Sequence, residues 1–210
     1  MTGWPTLPGE TPIDDISGLK IKGVTTRSEL SKVEAENIRK AVVKYLAAKP
    51  SRRTAPFDLA WVLRLHREMF GGVWAWAGRV RRSVTNIGVE PSQIEGSLTN
   101  LLNDLAFWEK SGEDPSKQAV MLHHRAVQIH PFPDGNGRWA RLLANIRLRQ
   151  LDHHLTEWPE ETIGAESVIR AEYLAAIRTA DEGDYGRLLE LHRRFTAGGE
   201  KGTAPHSTRS

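Results

Sequence analysis

The sequence predicts an all-α protein, a helical bundle interrupted once by a short β-hairpin. Three observations carry that prediction. Apolar residues recur at intervals of three and four along most of the 210 residues. One stretch, Val80 to Val89, gathers β-branched residues around Gly88 instead. No internal repeat of solenoid length is visible.

Residues 1–20 are rich in Pro, Gly and Thr, lack periodicity, and are expected to form an extended arm. The first helix starts near Thr26 or Ser28. Ser31 stands three residues after Ser28, so no full capping box is expected, although Glu29 suits a first turn. Leu30, Val33, Ile38, Ala41, Val42 and Tyr45 then recur at helical spacing until Pro50. A second helix runs from about Phe57 to Phe70 and stops at Gly71-Gly72. After the hairpin, helices are expected over Ser92–Lys110, Pro115–Ile129, Arg138–Gln150, Ala165–Ala180 and Tyr185–Ala197. Residues 21–197 thus form one domain, and the polar tail 198–210 is expected to be disordered.

Composition narrows the function classes. There are no cysteines, which excludes disulfides, thiolate metal sites and cysteine nucleophiles. The net charge of +3 suits an anionic small ligand but gives no concentrated stripe for nucleic acid, so no nucleic-acid partner is expected. The first residues lack a secretory signal's order, and no apolar run approaches the length of a membrane span. No membrane association is expected, and a cytoplasmic location is the simplest reading.

The chemistry is concentrated in the loop His130-Pro131-Phe132-Pro133-Asp134-Gly135-Asn136-Gly137-Arg138, between two helices. Gly135 and Gly137 permit close backbone approach, and N–H groups at the start of the following helix make an anion hole. Asn136 can shape the turn and touch an anion. Arg138 and Arg141 stand three residues apart on neighbouring faces of one turn, a pairing that suits a polyphosphate. Asp134 amid these cations makes sense as a Mg²⁺ ligand shared with phosphate oxygens. His130 suits a general base acting near neutral pH. Base, metal ligand, anion hole and two cationic clamps fit displacement at phosphorus.

Taken singly, each feature has a plainer reading: a helix-terminal His, turn-forming Asp-Gly and Asn-Gly pairs, solvated arginines, packing aromatics. Seven complementary positions within twelve residues outweigh those readings. Elsewhere the plainer reading prevails. Neither His123-His124 nor His153-His154 can form a two-toothed ligand set on a helix, because adjacent residues diverge by about 100°. Trp74 and Trp76 read as core, with Arg79, Arg81 and Arg82 at the base of the hairpin rather than as a nucleic-acid surface.

His130 to Arg141 matches H-x-F-x-[D/E]-G-N-G-R-x-x-R at every specified position, and in this the sequence resembles the Fic domain family. Similarity extends to VWAWAGRVRRSVTNIGVEPSQI, which resembles the approach and β-hairpin flap of the family, and to RAEYLAAIRTADEGDYGRLLELHRRF, which resembles its closing helices. The strings GETPIDD, TTRSEL and AENI further resemble the subgroup called mobile mystery protein B. The resemblance implies a protein adenylyltransferase that moves AMP from ATP to a Ser, Thr or Tyr hydroxyl of a target protein. His130 would take the hydroxyl proton and Phe132 would anchor the loop. Asp134 would hold Mg²⁺ on the α- and β-phosphates, and Gly135, Asn136 and Gly137 would form the anion hole. Arg138 would bind the β-phosphate side and Arg141 the γ-phosphate. The flap residues Ser83, Val84, Thr85, Asn86, Ile87 and Gly88 would dock the target by strand addition. Alternatives are UMP or phosphocholine transfer, removal of AMP, or a toxin-like module governed by an antitoxin partner. The full G-N-G-R string sets the loop apart from the Doc-like kinase branch, whose loop departs at the second Gly.

Many members of the family are restrained by a helix bearing [S/T]-x-x-x-E-[G/N], whose Glu pairs with the second motif Arg. No complete copy occurs here. Ser92 to Gly96 is one residue short, Thr25–Glu29 is followed by Leu30, and Thr196–Glu200 by Lys201. Glu36-Asn37 keeps the ending, but Lys32 stands where Ser or Thr belongs. Glu36 is therefore the candidate inhibitory residue, unless a partner supplies the restraint.

Overall fold

Thr26 sets the first helix. Its hydroxyl accepts from the Glu29 N–H while the Glu29 carboxylate accepts from the Thr26 N–H, a complete capping box at the start of α1 (Arg27–Leu46). The box expected to be missing is present, because the cap is Thr26 rather than Ser28. The structure is a computed structural model and describes residues 18–196. The predicted extended arm up to residue 17 and the predicted tail lie outside them.

Asp58 caps α2 (Leu59–Phe70), and a 3-10 turn at Pro91–Gln93 leads into α3 (Ile94–Lys110). Asp114 caps α4 (Pro115–Ile129), with Pro115 in its first turn. Then follow α5 (Asn136–Gln150), the short α6 (Glu160–Ile163), α7 (Val168–Asp181) and α8 (Gly186–Arg194). The single turn of α6 had no periodicity long enough to reveal it. None of the helices described is long and apolar enough to cross a membrane.

The α4–α5 pair is the centre of the bundle. On one side α1, α2 and α3 enclose the main core, where Trp61, Phe70, Trp74, Phe132 and Trp139 are buried. On the other, α7 and α8 cover a second cluster of Val120, Ile163, Tyr173, Ala176 and Leu188. Because α4 is covered from both sides, Gln118, His123 and His124 are buried as well as its apolar residues. The stacked rings of Trp74 and Trp76, 5.0 Å apart, belong to the packing beneath α1.

The predicted hairpin does not form. Among the described residues there is no strand, only two isolated bridges, Leu19 with Trp74 and Thr156 with Thr196. Residues 80–90 make an irregular loop, and the reason is Arg81. Its Nη1 donates to the Ser83 carbonyl at 2.9 Å and its Nη2 to the Val89 carbonyl, taking the acceptors that a ladder would use. The N–H groups of Arg81 and Val89 donate to the carbonyls of Pro131 and Ile129. The segment is tied to the end of α4 and the loop after it rather than to itself.

Candidate active site

The loop between α4 and α5 is shaped by two left-handed residues and one amide. His130 ends α4 with φ 52° and ψ 59°, and Gly135 precedes α5 with φ 80°. A Cβ on Gly135 would lie 2.5 Å from the Phe70 ring, so both torsion and space demand glycine there. Asn136 spends its whole amide on the loop: Oδ1 accepts from the Phe132 N–H and Nδ2 donates to the Phe132 carbonyl, at 2.9 and 2.8 Å. With Gly135 as its cap, α5 has no side chain closing its N-terminus.

Phe132 anchors this loop. Its ring stacks on His66 at 3.7 Å and meets Trp139 edge-on at 5.0 Å. His66 in turn has one defined tautomer. Its Nδ1 accepts from the Gly78 N–H, so Nε2 carries the proton and donates to the Asp134 carbonyl, both at 3.0 Å. Burial pushes His66 down to about 3. This neutral side chain supports the loop from below.

His130 lies at the rim of the same loop with only 6% of its surface exposed. Burial, aided by the Arg81 charge, lowers it to about 4, so it is neutral and able to accept a proton at pH 7. Arg81 Nε donates to the His130 carbonyl at 2.7 Å, fixing the left-handed residue in place. Gly88 closes over it: a Cβ there would stand 2.6 Å from that of His130, and φ is 103°.

Both arginines after the loop are held by carboxylates. Arg138 Nη1 donates to Glu34 Oε2 at 2.7 Å and Nη2 to Asp134 Oδ2 at 3.2 Å, while the guanidinium lies over the Phe70 ring. Glu34 is buried and also accepts from Trp74 Nε1 at 2.7 Å. Arg141 donates from Nε and Nη2 to the two oxygens of Glu160. Burial alone would lower the pKa of either arginine, but the carboxylate partners outweigh it and raise both.

The match to known proteins follows this geometry. Residues 56–148, from the approach to α2 through most of α5, match the model of the Fic/DOC family. The chain carries a Fic domain. Over 149 residues it is 33% identical to the protein adenylyltransferase Fic of Aedes aegypti, an alignment covering 69% of this chain and 28% of that protein. The chain therefore spans about a quarter of the length of such curated relatives. In structure it is similar to Fic-1 of C. elegans, with a TM-score of 0.65 and 26% identity over 83% of this chain and 50% of the other. The BepC protein of Bartonella tribocorum shares the fold, with a TM-score of 0.64 at 19% identity over 86% of this chain and 93% of its own.

In this Fic domain the predicted site residues converge at the junction of α4 and α5. His130, Asp134, Gly135, Asn136, Gly137 and Arg138 border one loop, and Arg141 lies one turn further along α5. The side chain of Asn136 shapes the loop, leaving the backbone at the start of α5 to meet an anion. Ser83 to Gly88 arch beside His130, with Val84 and Ile87 exposed. Glu36 does not join them. It turns to the outer side of α1, where both its oxygens accept from Arg39. The α1 carboxylate that reaches the motif is Glu34, two residues earlier. Its place on the apolar stripe of α1, four residues after Leu30 and seven before Ala41, was the signal that could have found it. His66 and Glu160 carried no such signal.

Proposed function

We propose that this Fic domain transfers AMP from ATP to a hydroxyl group on a target protein. The observation that carries the proposal is a buried, neutral His130 at the rim of an uncapped helix N-terminus flanked by two arginines. The relatives named as adenylyltransferases support the same reading. The triphosphate lies along the loop, with its oxygens on the backbone N–H groups that begin α5. Arg138 and Arg141 hold the β- and γ-phosphates. His130 takes the proton of the attacking hydroxyl. The freed oxygen bonds to the α-phosphorus, the bond from that phosphorus to the β-phosphate oxygen breaks, and pyrophosphate departs.

Asp134 has the right chemistry for Mg²⁺: a partly exposed carboxylate at the loop's edge, one oxygen of which already faces Arg138. Asp134 would contribute its carboxylate to such an ion beside the phosphates. A cation there neutralises charge on the phosphates when bound.

The loop from Ser83 to Gly88 is the docking segment for the target. It borders His130, and Arg81 holds its ends together while Val84 and Ile87 face outward. An incoming extended segment passing along it reaches His130 with its hydroxyl. The test is incubation of the protein and a cell lysate with Mg²⁺ and ATP labelled at the α-phosphate. Labelled protein bands are expected with the wild type and not with His130→Ala. Equal labelling by both would overturn the role of His130, and no labelling by either would overturn the transfer.

A further inference from the structure

Three backbone carbonyls from two segments of the chain meet on one buried side chain. Arg81 is only 3% exposed. Its guanidinium donates from Nε to the His130 carbonyl at 2.7 Å, from Nη1 to the Ser83 carbonyl at 2.9 Å, and from Nη2 to the Val89 carbonyl. Ser83 and Val89 stand at the two ends of the docking loop, and His130 is the base. Two backbone bonds run alongside: the Arg81 N–H donates to the Pro131 carbonyl at 2.9 Å and the Val89 N–H to the Ile129 carbonyl at 3.3 Å. The neck of the loop is thus tied to the end of α4, while Val84 and Ile87 near its tip are exposed.

The arrangement calls for arginine in particular. Acceptors on three sides of one centre need donors fixed in a plane and pointing outward, which a guanidinium supplies. A lysine offers its three donors on a single nitrogen, and a glutamine offers only two. Among the described residues no carboxylate forms an ion pair with Arg81, and Glu90 offsets its charge only from a distance. A buried cation without a counter-ion is costly, and here carbonyl dipoles alone surround it. Gly88 closes the arrangement from above. A Cβ there would stand 2.7 Å from Arg81 Nη2, 2.6 Å from the Cβ of His130 and 3.0 Å from the Ile129 carbonyl oxygen, so the loop backbone lies directly against both side chains.

We infer that Arg81 is a positioning residue for the transfer step: one guanidinium ties both ends of the docking loop to the carbonyl of the base, so that a hydroxyl carried along the loop arrives at a fixed place beside His130. Its effect falls on the rate of transfer and not on nucleotide binding. Each of its three nitrogens is engaged by a carbonyl of the protein, whereas the phosphates are assigned to the start of α5, Arg138 and Arg141.

This role rests on the transfer reading above, and a measurement on the unaltered protein keeps the two separable. A guanidinium held on three sides cannot rotate freely, so the Nε and Nη protons of Arg81 should give separate NMR lines near room temperature, absent from Arg81→Lys. Averaged lines would overturn the clamp. Incorporation of label from α-labelled ATP into lysate proteins is then followed across ATP concentrations for wild type, Arg81→Lys and Arg81→Gln. The maximal rate should fall about ten- to a hundredfold in both variants, the effect of misplacing reacting groups by about 1 Å. The half-saturating ATP concentration should stay the same, as should the affinity and the number of sites for a non-hydrolysable ATP analogue in calorimetry. An unchanged maximal rate, or a fall matched by lost analogue sites, contradicts positioning. So does failure of both variants to fold, which would make Arg81 a folding residue. A wild type that neither binds the analogue nor labels protein overturns the transfer reading, and the catalytic role of Arg81 with it, even where the NMR lines are separate.

Discussion

Glu160 grips Arg141 with both carboxylate oxygens, Oε1 accepting from Nε at 2.8 Å and Oε2 from Nη2. Arg141 is buried while Glu160 is half exposed, so the carboxylate lies between the guanidinium and solvent. On the proposed function, those donors are the ones a γ-phosphate would take. Glu160→Ala is expected to tighten binding of an ATP analogue about three- to tenfold, a modest gain because a half-exposed pair is screened by water. Isothermal titration of the two proteins checks this, and weaker binding by the variant would show that Glu160 orients Arg141 instead of competing for it.

Glu34 has the opposite character. It is buried, and it ties α1 to Trp74 and to Arg138 at once. Replacing it with Leu leaves the Arg138 cation and the indole N–H without their acceptor. Denaturant unfolding of Glu34→Leu should show a loss of about 3 kcal/mol, the range for removing one member of a buried ion pair. A loss below about 1 kcal/mol would mean that Arg138 is adequately held by Asp134.

Acid should unfold this protein early. His66 and His192 lie at about 3 and His130 at about 4, against 6.5 for an exposed histidine. The values are lower in the folded chain, so below pH 6.5 the unfolded chain binds more protons. Stability is complete above pH 6.5 and falls as pH drops toward the folded values. Each histidine contributes a slope of about 1.4 kcal/mol per pH unit, or about 2 kcal/mol between pH 6.5 and pH 5. Denaturant titrations at pH 7 and pH 5 should differ by several kcal/mol. By the same logic the acid limb of kcat/KM belongs near pH 4, if the protein survives there, rather than near 6.5.

Gly88→Ala tests the contact between the docking loop and the base. The new Cβ would meet that of His130 at 2.6 Å, with φ at 103°. The loop must lift, and target labelling should fall at least tenfold, while ATP-analogue binding changes little. Unchanged labelling would remove this loop from the account.

The helices and the motif could be read in the sequence because both are local. A period of three to four residues is written wherever one face is buried, and the expected Pro115–Ile129 coincides with α4. The hairpin was misread for a reason equally physical. Val80 to Val89 has strand-forming residues, but the partner for its backbone is a guanidinium from within the segment and the carbonyls of Ile129 and Pro131. Propensity cannot report such a partner. The short string Glu36-Asn37 points to Glu36 and passes over Glu34, whereas the helical stripe places Glu34 inward and Glu36 outward. Glu160 reaches Arg141 from nineteen positions away, on a helix of a single turn. Contacts of that kind become visible only in three dimensions.

The central claim is that His130 directs AMP, and not phosphate, onto a hydroxyl. Parallel reactions with ATP labelled at the α-phosphate and at the γ-phosphate test it most directly. Transfer of the α label alone by the wild type, abolished in His130→Ala, is the predicted result. Transfer of the γ label would contradict the account, because the γ-phosphate leaves with the pyrophosphate held by Arg138 and Arg141.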